Sequence, residues 1–367
     1  MIEPIRVLVV DDSALMRKAI SLMLDEEPDV KVCGVARNGE EAVEKIQSLH
    51  PDVVTLDIEM PVMDGLTALK FIMKLHPVPV IMFSSLTTDG AEMTLKALEL
   101  GAVDFLPKYL PGILAQSSDI RKELVQKVKT VAKKSKMLQR PATSGKVVTG
   151  LSGFSAESSP ARKRPGKPRA SKKEYELVLI GSSTGGPQTL QSMIPNIQGS
   201  MVLPIVIVQH MPEQFTRALA ERLNKLSSLQ VKEAEHGEDL LEQVVYVAPG
   251  GHNLALKRTG RRIWLHIEKC TEESIYRPSI NLTAFTAADI FQDRVVGIML
   301  TGMGSDGLEG FKQLKQQKSY IIAQKKDTCV IYGMPRVVVE AGIADAVLSP
   351  EEMVLWLNRH ATQEAVS

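Results

Sequence analysis

Leu177-Val178-Leu179-Ile180-Gly181-Ser182-Ser183-Thr184-Gly185-Gly186-Pro187 starts with four apolar residues and stops at a glycine. Two serines, a threonine and two more glycines then lead to a proline. An apolar run of this length bounded by glycine reads as a buried strand, and Pro187 stands where a helix begins. A strand that ends in a glycine-rich turn ahead of a helix leaves backbone N–H groups pointing outward. It can also hold a hydroxyl at the open end of a sheet. Gly181-Ser182-Ser183-Thr184-Gly185 fits G-x-S-x-G, the turn that carries a serine nucleophile in some α/β enzymes. Small residues fill any tight strand-to-helix turn, so the pattern needs partners elsewhere.

Residues 174 to about 360 continue the alternation. Strand patterns fall at 177–180, 202–208, 244–247, 263–267, 295–300 and 320–323, with helical patterns such as 214–226 and 334–341 between them. This predicts a largely parallel α/β sheet. Three strand ends carry groups of related chemistry: Ser182 or Ser183, His210, and Asp306. A Ser–His–Asp set must meet in space rather than in sequence, and the carboxyl ends of parallel strands are such a meeting place. Taken singly, His210 can be a satisfied strand-end residue and Asp306 the cap of a helix starting near Leu308. Gly302-Met303-Gly304-Ser305-Asp306-Gly307 also fits the dinucleotide fingerprint G-x-G-x-x-G, with Asp327 beyond it. Asp306 inside that loop would repel a pyrophosphate, which argues against a dinucleotide. The order Ser, His, Asp differs from the Ser, acid, His order of lipase-type hydrolases.

The first 130 residues form a second unit of the same class. Strand patterns at 5–10, 32–36, 53–56, 80–83 and 102–106 alternate with helical stretches such as 14–24 and 39–49, predicting a doubly wound parallel sheet. Asp11, Asp12, Asp57, Ser84 and Lys108 collect at strand ends. Three carboxylates at one edge repel one another unless they share a hard divalent cation, and Mg²⁺ suits oxygen ligands. Asp57 is then placed to take a phosphoryl group, with Ser84 and Lys108 neutralising its oxygens.

Between the two units, 133–173 holds 12 Lys or Arg and one acid, Glu157. The remainder carries 32 basic and 42 acidic residues, a balance of −10. The segment is rich in Ser, Pro and Gly and lacks apolar periodicity, so 131–173 is expected to be a flexible linker. Aromatic content of 4% argues against a base-stacking surface, and no nucleic-acid partner is expected. Cys33, Cys270 and Cys329 have no metal or redox spacing and read as thiols in a reducing compartment. No signal-peptide pattern opens the chain and no apolar run is long enough to span a bilayer, so a cytoplasmic protein without membrane insertion is expected.

VVDDSALMR, DIEMPVMDG, Ser84-Ser85 and DFLPK resemble a response-regulator receiver domain over 1–130. GSSTGGP, QHMPEQFTRALAERLN, VYVAPGG, RPSIN and TGMGSDG resemble the catalytic domain of chemotaxis protein-glutamate methylesterases over 174–362. By the first resemblance Asp57 is the phospho-acceptor, and Asp11, Asp12, Asp57 and the backbone of Glu59 surround Mg²⁺. By the second, Ser183 is the nucleophile, His210 its base and Asp306 the orienting carboxylate. Backbone N–H groups of Thr184 and Met303 are the candidates for the oxyanion hole. No cofactor is expected in the catalytic half.

The resemblance implies a phosphorylation-activated hydrolase that demethylates glutamyl methyl esters on chemoreceptors and deamidates glutamines. A histidine kinase would be the phosphodonor, and the unphosphorylated receiver would pack over the active site. A monomer is expected. The chain departs from the family pattern at Tyr109, where proline is usual, at Tyr276, where histidine is usual, and at Asn281, where aspartate is usual. The competing reading is a phosphorylation-switched binding module whose hydrolase-like domain is inert.

Overall fold

The computed structural model describes residues 3–108, 118–138, 175–199, 201–271 and 276–360. Most of the basic linker expected at 131–173, and Tyr109, lie outside the described residues. The N-terminal unit runs β1 (Ile5–Val10), α1 (Ala14–Asp25), β2 (Val30–Ala36), α2 (Gly39–Leu49), β3 (Val53–Asp57), α3 (Gly65–Leu75), β4 (Val80–Ser84), α4 (Thr88–Glu99), β5 (Asp104–Pro107) and α5 (Ser118–Leu138). Its five strands are parallel in the order β2-β1-β3-β4-β5. Each of the first four helices begins at a short polar cap. Ser13, Asn38, Asp64 and Thr87 accept from the backbone N–H of Met16, Glu41, Thr67 and Gly90.

Strand residues alternate between two apolar layers. Val7, Val9, Ile81 and Phe83 pack under α1 and α5; Leu8, Val10, Leu56 and Met82 pack under α2, α3 and α4. The last helix continues past residue 130 to Leu138, with Val131 and Ala132 still buried against the sheet.

The C-terminal unit centres on β6 (Leu177–Ser182), followed by α6 (Gly186–Met193), β7 (Ile205–Gln209), α7 (Glu213–Leu226), β8 (Gln230–Glu233) and β9 (Val244–Val247). A hairpin of β10 (His252–Thr259) and β11 (Arg262–Lys269) comes next. Then follow α8 (Ile280–Phe291), β12 (Val295–Met299), α9 (Leu308–Gln316), β13 (Tyr320–Gln324), α10 (Met334–Glu340), β14 (Ala346–Leu348) and α11 (Pro350–His360). Seven strands form one parallel sheet, ordered β14-β13-β12-β6-β7-β9-β8. The chain leaves β6 toward β7 on one side and returns to β12 on the other. That reversal opens a crevice at the carboxyl ends of the three central strands.

Two strand expectations change. The pattern at 202–208 becomes a strand only from Ile205, because Pro204 has no N–H to give the ladder. The pattern at 263–267 does not join the parallel sheet. It pairs antiparallel with β10, and its alternation of Ile263, Leu265 and Ile267 with Trp264 and His266 is that of a strand with one apolar face. Among the described residues no helix is long and apolar enough to cross a membrane.

Candidate functional sites

In the C-terminal crevice, the turn after β6 is fixed before any side chain acts. Gly185 adopts φ 77° and caps α6, and a Cβ there would lie 2.4 Å from Val330. Gly186 has no room for a side chain either, since a Cβ would come within 2.1 Å of Gln209 Oε1. The two serines then separate. Ser182 is buried and donates to Gln209 Oε1 at 2.6 Å, whereas Ser183 is half-exposed and its hydroxyl makes no hydrogen bond among the described residues. Gln209, the last residue of β7, also donates through Nε2 to the carbonyls of Ser183 and His210, both at 3.0 Å. One buried carboxamide thus ties the two strand ends together. A lone polar residue closing the apolar run Ile205–Val208 was the sequence signal for it.

His210 follows Gln209, and its Nε2 lies 2.8 Å from Asp306 Oδ2. Asp306 does not cap α9, whose N-terminal flank is Gly307. Its carboxylate sits instead at the N-terminus of α8. There Oδ2 accepts from Ile280 N at 2.7 Å and Oδ1 from Asn281 N at 3.2 Å. Gly307 N adds a third backbone donor at 2.9 Å and Ser279 Oγ a hydroxyl at 3.3 Å. Burial alone would push the Asp306 carboxyl up. The His210 contact and the helix N–H groups outweigh it and hold the carboxyl below its ordinary range. Asn281 spends its own side chain elsewhere, accepting from Gly310 N at 2.8 Å. Thr184 follows Ser183 in the turn after β6, and Met303 follows Gly302 in the loop after β12, where a Cβ on Gly302 would lie 2.8 Å from Ser183 Cβ. Neither backbone N–H donates a hydrogen bond among the described residues.

The N-terminal unit covers this crevice with its α4, β5 and α5 face. Asp104 opens β5 and its Oδ2 accepts from Thr184 Oγ1 at 2.7 Å. The same carboxylate is paired with the buried ammonium of Lys127 at 2.9 Å. Phe105 stacks on Phe215 of α7 with ring centroids 4.5 Å apart, and Thr130 Oγ1 reaches Met303 Sδ at 3.7 Å. Arg222 of α7 pairs with Glu99 of α4 at 2.7 Å. Both Thr184 and Met303 therefore touch the first unit. Asp104 and Phe105 were not among the sequence-derived site residues, because receiver and crevice residues share no local pattern.

At the edge of the first sheet, ligand atoms of Asp11, Asp12 and Asp57 lie within 4.8 Å of one another. The Lys108 ammonium is 2.9 Å from Asp11 Oδ2 and ion-paired with Asp57 Oδ2. Both oxygens are buried and otherwise without a partner. Burial pushes the Asp57 carboxyl up to about 6, with Lys108 pulling it back and Asp11 adding repulsion. Burial works against the charge on Lys108, but the two carboxylates prevail and raise it. Two buried carboxylates whose oxygens have no partner but Lys108, beside an exposed third acid, form a donor set that fits a hard divalent cation. Glu59 borders the cluster, its backbone N–H donating to Asp57 Oδ1 at 3.4 Å. Ser84 is buried and donates to Gly90 O at 2.9 Å, so its hydroxyl points toward α4 rather than to Asp57.

Two family models match the chain: the response regulator receiver domain over residues 7–112 and the CheB methylesterase over 178–357. Among curated proteins, a relative from Oleidesulfovibrio alaskensis is named protein-glutamate methylesterase/protein-glutamine glutaminase 1. It is 45% identical over 95% of this chain and 97% of its own length. Among solved structures, the CheB methylesterase catalytic domain of Thermotoga maritima is 41% identical, with a TM-score of 0.49 over 51% of this chain and 98% of its own. The response regulator domain of Thermotoga maritima CheB is 50% identical, with a TM-score of 0.34 over 36% of this chain and 98% of its own. With a receiver domain ahead of a methylesterase domain and near-complete coverage at 45% identity, the chain belongs to the protein-glutamate methylesterase/protein-glutamine glutaminase family.

Proposed function

We propose that the chain hydrolyses glutamyl methyl esters on chemoreceptors, and deamidates receptor glutamines, through Ser183, His210 and Asp306 under control of phosphorylation at Asp57. The observation that carries this reading is the His210–Asp306 pair, held at 2.8 Å at the mouth of three adjacent parallel strands, with the His210 backbone N–H donating at 3.1 Å to the carbonyl of Ser182, next to the half-exposed Ser183. Ser183 Oγ attacks the ester carbonyl carbon as its proton passes to the ring nitrogen of His210 not facing Asp306. Asp306 steadies the imidazolium, and the N–H groups of Thr184 and Met303 receive the charge on the carbonyl oxygen. Methanol departs with the proton from His210. Water, deprotonated by His210, then releases the carboxylate and regenerates Ser183. With glutamine as substrate the leaving group is ammonia.

In the receiver, Asp11, Asp12, Asp57 and the Glu59 backbone would hold Mg²⁺, which when bound neutralises the crowded oxygens around a phosphoryl group. Asp57 takes that group from a histidine kinase, and Lys108 pairs with it. The contacts of Asp104, Phe105 and Thr130 with Thr184, Phe215 and Met303 support a closed arrangement in which the receiver restricts access to the crevice. Phosphorylation then favours the open one. The reading is of a cytoplasmic monomer. Its test is methanol release from methylated chemoreceptor cytoplasmic fragments by the full chain with Mg²⁺ and a small acyl phosphate. Ser183→Ala should reduce turnover by at least about 10³-fold. Unchanged turnover in that variant would reject Ser183 as nucleophile.

A further inference from the structure

Tyr276 has no part in the triad, yet its ring lies face to face with His210. The centroids are 5.0 Å apart and the planes differ by 16°. Its hydroxyl end reaches the loop after β12, where a Cβ on Gly304 would come within 3.0 Å of Oη. Among the described residues that hydroxyl makes no hydrogen bond, so the contact with His210 is through the ring face. His210 is thus held along one edge by Asp306 and across one face by Tyr276.

When Ser183 gives up its proton, the His210 ring becomes a cation. Asp306 answers that charge through Nε2, and an electron-rich aromatic face in contact with the ring answers it across the plane. Resting on the reading of His210 as the base, we propose that Tyr276 is a positioning residue. Its stack holds the imidazole plane between Asp306 and Ser183 and favours the imidazolium formed in the acylation step. A phenol is suited to this because its face is electron-rich.

The test compares Tyr276→Phe, Tyr276→Leu, Tyr276→Met and His210→Gln in the full chain, activated with Mg²⁺ and a small acyl phosphate. Methanol release gives kcat and KM, a thermal melt reports folding, and the His210 Hε1 resonance in ¹³C-histidine-labelled protein reports the stack. Tyr276→Phe should keep kcat within about twofold and keep the upfield ring-current shift. Tyr276→Leu should lower kcat about 3- to 30-fold with KM within about twofold, and the resonance should move downfield. Tyr276→Met should match Tyr276→Leu and replaces it if that variant melts early.

Wild-type kcat in Tyr276→Leu with an inactive His210→Gln would overturn the proposal alone. Equal losses in the Phe and Leu variants would assign the effect to the hydroxyl and overturn it too. A raised KM at constant kcat would make Tyr276 a substrate contact instead. Wild-type turnover in His210→Gln would overturn the base assignment, and this inference with it.

Discussion

Asp57 and Asp306 are two buried carboxyls shifted in opposite directions: burial wins at Asp57, whereas His210 and backbone N–H donors win over burial at Asp306. Asp306 faces a ring of donors and is held low, so it stabilises the fold above the ordinary carboxylate range and less as pH falls through its own value. Asp57 is raised from 3.8 to about 6, so its burial costs stability as pH rises through that window. A cation bound beside the ionised carboxylates removes that cost. Mg²⁺ should therefore stabilise the fold more at pH 7.5 than at pH 5, by up to about 2.7 kcal/mol at a hundredfold excess over its Kd, and raise the melting temperature accordingly. Scanning calorimetry with and without Mg²⁺ checks this. An equal shift at both pH values, or one that survives in Asp57→Asn, would place the cation elsewhere. Single residues were only partly legible in the sequence. The clustering of Asp11, Asp12 and Asp57 could be read from strand ends alone. Asp306 could not be told from a helix cap, because its donors come from α8, which precedes it in the chain.

Elements were legible where a strand is buried on both faces. Ile5–Val10, Val53–Asp57 and Val244–Val247 are nearly continuous apolar runs, and each is a strand of a parallel sheet. Gln230–Glu233 and Ala346–Leu348 escaped notice because edge strands of three or four residues carry no readable period. His252–Thr259 hid its alternation behind the charged end Lys257-Arg258. β6 and β7 pair along a parallel ladder, and the Gln209 carboxamide adds a side-chain tie at their carboxyl ends, of which the sequence showed only a polar residue closing an apolar run. Gln209→Met should leave Ser182 Oγ and two backbone carbonyls without their donor or acceptor. It should cost about 2–4 kcal/mol in urea unfolding. A loss below about 0.5 kcal/mol would show that Gln209 is not what fixes the turn.

At the scale of the molecule, two parallel sheets meet so that the edge of the receiver lies on the carboxyl end of the catalytic sheet. One apolar cluster runs through α4 and Phe105 into α6 and α7, so the interface is built as a continuation of both cores. The Asp57 edge and the Asp104–Thr184 contact are linked through β5, which carries Asp104 and Phe105 and leads directly to Lys108. Lys108 already pairs with Asp57, so a phosphoryl group there would act on a residue that directly follows the strand touching the turn after β6. The regulation proposed above requires coupling between Asp57 and Ser183. It is tested most directly by methanol release from methylated chemoreceptor fragments in the presence of Mg²⁺, with and without a small acyl phosphate, in wild type and Asp57→Asn. The phosphodonor should raise turnover at least about tenfold in wild type, a shift of about 1.4 kcal/mol, and leave Asp57→Asn at the unstimulated rate. Equal stimulation of both proteins, or full activity in wild type without any phosphodonor, would show that Asp57 does not control Ser183.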